Sequence, residues 1–156
     1  MAPGRANTGM TTITTPLPTS AALRSDPAAQ AFMLLRIAFT VAPIVFGLDK
    51  FAGVLTDDWT RYLAPAFNDI IPGSAADAMH IVGVVEIAAG LVVAVTPRYG
   101  GLLVAGWLAG IIVNLLIVGG YGDIAMRDFG LMLGALTLAR LSMAFDGDGR
   151  ARGARS

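Results

Sequence analysis

An all-α fold, a bundle of four membrane-crossing helices, is what this sequence predicts, and three observations carry the expectation. The 156-residue chain is 55% hydrophobic and only 14% charged, whereas soluble domains run at about 45–50% and 25%. Four apolar segments of about 20 residues follow one another, the length that crosses a bilayer. The third has no charged residue between Gly101 and Gly122, so it lacks the polar stripe a water-facing helix needs.

The elements follow in chain order. Residues 1–28 are rich in Thr, Pro, Ala and Ser. They lack the apolar run of about 7–15 residues that marks a signal peptide, so they read as a flexible polar tail. A four-span domain is expected over residues 29–146. Its segments run from about Ala31 to Phe51, Ala78 to Thr96, Gly101 to Tyr121 and Ile124 to Phe145. Pro97–Gly101 and Gly119–Asp123 read as tight connections, which makes neighbouring helices antiparallel. The loop from Thr56 to Asp77 mixes Trp59, Tyr62 and Phe67 with charges, a composition suited to the headgroup level. Residues 147–156 read as a flexible Gly/Arg-rich tail.

Orientation follows from the basic residues. Four spans put both termini and the Pro97–Gly101 connection on one side, with Arg5, Arg24, Arg98, Arg150, Arg152 and Arg155. The other side has Arg61, with Lys50 at a span end, beside four aspartates. Both termini should therefore face the cytoplasm. One lysine against ten arginines, with abundant Ala and Gly, suits a GC-rich bacterial genome.

Composition also excludes chemistry. The chain has no cysteine and one histidine. Disulfides, thiol redox centres, thiolate metal sites and multi-histidine metal sites within one chain are ruled out. Net charge is zero, so nucleic acid has no basic surface to bind. No phosphate loop or serine elbow is present. Any redox chemistry would have to be brought by a carrier such as a quinone or by a partner subunit.

What remains is a polar seam. Arg36, Thr40, Pro43, Gly47 and Lys50 recur at helical spacing in span one. Gly83, Glu86 and Gly90 do so in span two; Gly106, Gly110 and Asn114 in span three. Asp123, Arg127, Gly130, Gly134, Thr137 and Arg140 complete the set in span four. Small and polar residues sharing a face are expected at helix–helix contacts. Glu86 stands out, about 12 Å into its span at 1.5 Å per residue. A charge at that depth costs roughly 3 kcal/mol, and each Ile, Val or Leu returns about 0.3–0.6. With nine such residues, span two inserts with little margin, so Glu86 should turn inward to a partner or be protonated. Asp49, Lys50, His80, Glu86, Asn114, Arg127 and Asp128 are expected to converge on the outer half as a ligand-binding or polar-core cluster. Arg36 and Arg140 should snorkel to the inner face.

Gly47-Leu48-Asp49-Lys50-Phe51 closes span one, and Glu86-Ile87-Ala88-Ala89-Gly90-Leu91 lies in span two. With Arg36 early in span one, these segments resemble the DoxX family of small bacterial membrane proteins, over roughly Phe32 to Phe145. The resemblance implies a four-helix plasma-membrane protein loosely associated with redox systems, some relatives being subunits of a thiosulfate:quinone oxidoreductase. Lys50 and Glu86 match the family segments most specifically.

Three functions stay open at this point. One is a non-catalytic membrane subunit that supports a quinone-linked or oxidative-stress redox partner. The others are a small-solute transporter or channel, possibly a homo-oligomer, and an assembly protein that contacts lipid and helices without a ligand.

Overall fold

The computed structural model describes residue 15 and residues 17–63 and 74–153, with side chains described as far as Phe145. Among the described residues there is no strand. A short helix α1 (Ser20–Ser25) precedes four long ones: α2 (Pro27–Ala52), α3 (Ala75–Val95), α4 (Pro97–Val118) and α5 (Gly122–Gly153). Among the described residues between α2 and α3 lies a 3₁₀ turn, Thr60–Tyr62. In each long helix a window is apolar and long enough to cross a membrane, which marks the chain as a multi-pass membrane protein.

The helix ends show where local chemistry overrides hydropathy. The Asp26 side chain accepts from the Ala28 N–H, and Pro27 occupies the first helical position, where its fixed φ fits and its missing N–H costs nothing. The helical chain thus begins within the stretch that the sequence assigns to a flexible tail; residues 1–14 of that tail lie outside the described residues. Helix α3 starts three residues before the expected Ala78, because Ser74 and Asp77 form a capping box. Helix α5 continues to Gly153, past the predicted start of the C-terminal tail.

The largest difference lies between α3 and α4. Pro97–Gly101 is not a connecting turn but the first turn of α4, and Thr96 alone separates the two helices. Pro97 starts the helix as Pro27 does. The glycines serve contact instead of chain reversal. A Cβ on Gly100 would lie 2.5 Å from the Val93 backbone, and one on Gly101 would lie 2.7 Å from the Ala135 carbonyl oxygen. At the opposite end the Gly119–Gly120 turn is as expected, with φ of +77° and +79°.

Two tight antiparallel hairpins result, α2 with α3 and α4 with α5, and contacts between the hairpins are lighter. Glycine makes the first hairpin close. A Cβ on Gly47 would meet the Gly83 carbonyl oxygen at 2.6 Å, and one on Gly90 would meet the Thr40 carbonyl oxygen at 2.8 Å. Lipid tails are as apolar as leucine, so such close van der Waals approach holds membrane helices together. The half of the bundle nearer the termini is filled by Phe32, Phe39, Ala89, Val93, Val104, Ala105, Ala135 and Leu138.

The expected small-residue faces hold for α2 and α3 and only in part for the second hairpin, where a Cβ on Gly134 would meet the Phe39 ring at 3.1 Å. Gly106, Gly110 and Gly130 have no neighbour within 4 Å of a built Cβ. Asp123, Arg127, Thr137 and Arg140 are exposed, while Ala125, Asp128, Ala135, Leu138, Ala139 and Ser142 turn inward. Helix α5 therefore buries three alanines with Asp128, Leu138 and Ser142, and most of its polar stripe faces outward.

Candidate polar site at the loop end of the bundle

Lys50 and Glu86 form the centre of the site. Lys50 Nζ donates to Glu86 Oε2 at 2.6 Å, with side chains 4% and 12% exposed. Lys50 is two residues from the end of α2, a position from which lysines usually snorkel outward. Here it reaches inward instead. The Gly47–Gly83 approach leaves space for its stem, since a Cβ on Gly83 would lie 3.2 Å from Lys50 Cβ.

Asp49, the neighbouring residue, is buried and has a different task. Its carboxylate accepts the N–H groups of Val54, Leu55 and Thr56 at 2.7–3.2 Å. It also accepts the indole N–H of Trp59 at 3.0 Å. Four donors satisfy one buried anion and fold the chain after Gly53 back over the helix end. Gly53 allows the reversal with φ +62°, a conformation that glycine adopts without a Cβ penalty. The fold-back sets Trp59 over Lys50, with the ammonium 4.0 Å from the ring centroid. Lys50 is thus held between a carboxylate and an aromatic face.

A cavity of about 240 Å³ lies between residues 50–60 and the first turns of α3. Lys50, Trp59, Asp57, Asp58, Met79 and His80 contribute to its wall. His80 is exposed and stacks on Phe51 at 4.9 Å between centroids. It shares the cavity with Lys50 without joining the ion pair. The Asp58 carboxyl accepts the Thr60 hydroxyl and N–H, and these bonds hold its pKa below the ordinary carboxylate range, so the cavity rim stays anionic.

The second hairpin contributes less than the sequence predicts. Asn114 Nδ2 donates to the Tyr62 carbonyl oxygen and so fastens the 3₁₀ turn to α4. Tyr62 also meets Tyr121 edge to face at 5.2 Å. Asp128 is buried and within electrostatic reach of Glu86. Arg127 departs from the expected cluster: its side chain is 68% exposed and contacts Asp128 at 3.3 Å. Arg36 reaches toward the terminal end of the bundle, as expected, but is fixed there by hydrogen bonds. Its guanidinium donates to the carbonyls of Ala94 and Thr15, and Ala94 is one of the last-turn carbonyls that a helix end leaves open.

One residue of the site was missed by sequence reasoning. The Trp107 indole nitrogen is buried and makes no hydrogen bond of proper geometry. It lies beside the Glu86 carboxylate. The readable signal was its position. Membrane tryptophans gather at the interfaces, as Trp59 does, whereas Trp107 is ten residues into a 22-residue helix. Each long helix thus gives one group to the same region: Lys50, Glu86, Trp107 and Asp128.

No family model, curated protein or solved structure matches this chain.

Proposed function

We propose that this chain is a membrane subunit that binds a ring-shaped, membrane-soluble hydrogen-bond acceptor of the quinone class and supports a redox partner without catalysing a reaction itself. The observation that carries this reading is the buried Trp107 N–H, which sits beside the Lys50–Glu86 pair and makes no hydrogen bond of good geometry there. A buried donor left without an acceptor costs about 1–3 kcal/mol. A ligand carbonyl would supply the missing acceptor. A quinone ring there would take Trp107 as donor and Lys50 as the neighbouring cation, with the lighter contact between hairpins as the route for an apolar tail. A bound quinone would supply the electron chemistry, for which a chain without cysteine has no thiol. Lys50 and Glu86 would orient the ring and hold a proton near it.

The resemblance to DoxX proteins supports the same reading, and with it a bacterial plasma membrane. The excess of arginine on the terminal side supports cytoplasmic termini. The apolar cluster that fills the terminal half weighs against a continuous solute path.

Purification in mild detergent, followed by mass spectrometry of co-eluting small molecules and proteins, tests the proposal. A stoichiometric quinone, lost in Trp107→Phe, is the expected result. Protein that carries only lipid and binds no added quinone would leave the ion pair as a helix-packing device.

A further inference from the structure

The cavity beneath Trp59 and the ion pair beside it share one residue. Lys50 lines the cavity and donates to Glu86. Thr56, Asp57, Asp58, Thr60 and His80 give the cavity wall both donors and acceptors. At about 30 Å³ of liquid volume per molecule, a polar space of this size holds several waters. Among the described residues, the opposite half of the bundle is packed with the apolar side chains of Phe32, Phe39, Val93, Val104 and Leu138.

We infer that this cavity is a water-filled vestibule that opens the Lys50–Glu86 pair to the aqueous phase on the side of the α2–α3 loop, and on that side alone. The pair is then the partition between an aqueous compartment and the hydrocarbon seam that contains Trp107. Protons gained or released at Lys50 or Glu86 exchange with one side of the membrane. The inference rests on the membrane reading and deepens the proposed function, since it fixes the side from which a ligand at Trp107 would exchange its protons.

The cysteine-free chain allows a direct test by single-cysteine labelling in sealed vesicles. A charged, membrane-impermeant methanethiosulfonate is added first to one face and then to the other. Thr56→Cys and Arg98→Cys mark the two faces. Met79→Cys probes the cavity wall, and Val104→Cys probes the apolar half. Thiolate is the reacting form and needs water to ionise, so Met79→Cys is expected to label within about tenfold of the Thr56→Cys rate, from the same face only. Val104→Cys is expected to resist labelling from either face. Lys50→Cys in a Glu86→Gln background, which leaves no unpaired charge, should label from the Thr56 face. The inference is overturned if Met79→Cys stays unlabelled while Thr56→Cys reacts fully, or if it labels equally from both faces. Quinone binding measured on the same proteins separates the two readings. Binding retained without cavity labelling removes the vestibule and leaves the ligand site; labelling without binding does the reverse.

Discussion

Gly47 and Gly83 meet backbone to backbone, so that a Cβ built on either lies within 2.7 Å of the other's carbonyl oxygen. This contact sets the spacing at which Lys50, one turn further along α2, can bend back to Glu86. The electrostatics of the site therefore depend on two residues that carry no charge. Gly47→Leu or Gly83→Leu should separate the helices, because the clash is with backbone and cannot be relieved by a rotamer change. A loss of about 1–3 kcal/mol is expected from overpacking. Gly106→Leu, which meets open space, should be close to neutral. Thermal unfolding of the three variants in detergent provides the comparison.

The ion pair predicts a non-additive mutant cycle. Removing one partner of a buried pair leaves an uncompensated charge and costs about 3–5 kcal/mol, whereas replacing both is often nearly neutral. Glu86→Leu alone should be the worst variant, and Lys50→Met alone should also be severe. The double variant should recover most of the stability. Equal and additive losses would mean that the two groups do not sense each other.

Asp49 is a latch for the loop. Asp49→Ala removes the acceptor for three backbone N–H groups and the Trp59 indole. The helices should stay paired, while residues 53–63 become cleavable by protease and Trp59 fluorescence shifts to the red. Asp49→Asn retains one carbonyl oxygen and should be intermediate. Unchanged proteolysis in Asp49→Ala would show that the Asn114–Tyr62 and Tyr62–Tyr121 contacts hold the loop by themselves.

Trp107 separates binding from stability. Trp107→Phe keeps an aromatic body and deletes a buried N–H that makes no proper hydrogen bond, so the ligand-free protein should gain back about 1–3 kcal/mol of desolvation against the packing lost with the smaller ring, and should not be strongly destabilised. Quinone affinity should fall by about tenfold, the equivalent of one hydrogen bond of roughly 1.4 kcal/mol. Quenching of the remaining tryptophan by added quinone measures both affinities.

Much of this arrangement was legible in the sequence, and for one reason. A carboxylate deep in an apolar helix has few options, so Glu86 pointed to a partner before any geometry was known. Length and hydropathy likewise located all four spans. Legibility ended where a residue had two uses. Glycine after Pro97 suits a turn as well as a close contact, and only the positions of Val93 and Ala135 decide between them. Periodicity showed that Gly106, Gly110, Arg127 and Thr137 share faces with other small or polar residues, but not which way those faces turn. Asp49 looked equivalent to Lys50 because adjacent residues share a depth. Their side chains diverge, one toward the loop backbone and the other toward α3. Trp107 was passed over because its indole adds to hydropathy and hides a donor.

The hairpin architecture also bears on how the chain enters its membrane. Each hairpin contains its own counter-charge: Lys50 with Glu86 in the first, Arg127 with Asp128 in the second. A lone ionised side chain leaving an insertion machinery for lipid costs roughly 3 kcal/mol. Because the opposite charge lies on the next helix, or on the next residue, the debt is cancelled within two consecutive spans and does not wait for the bundle to close. The first hairpin can partition laterally with its deepest charges, Lys50 and Glu86, already paired while the second is still being synthesised. The single-residue joint at Thr96 then brings the second hairpin in beside it.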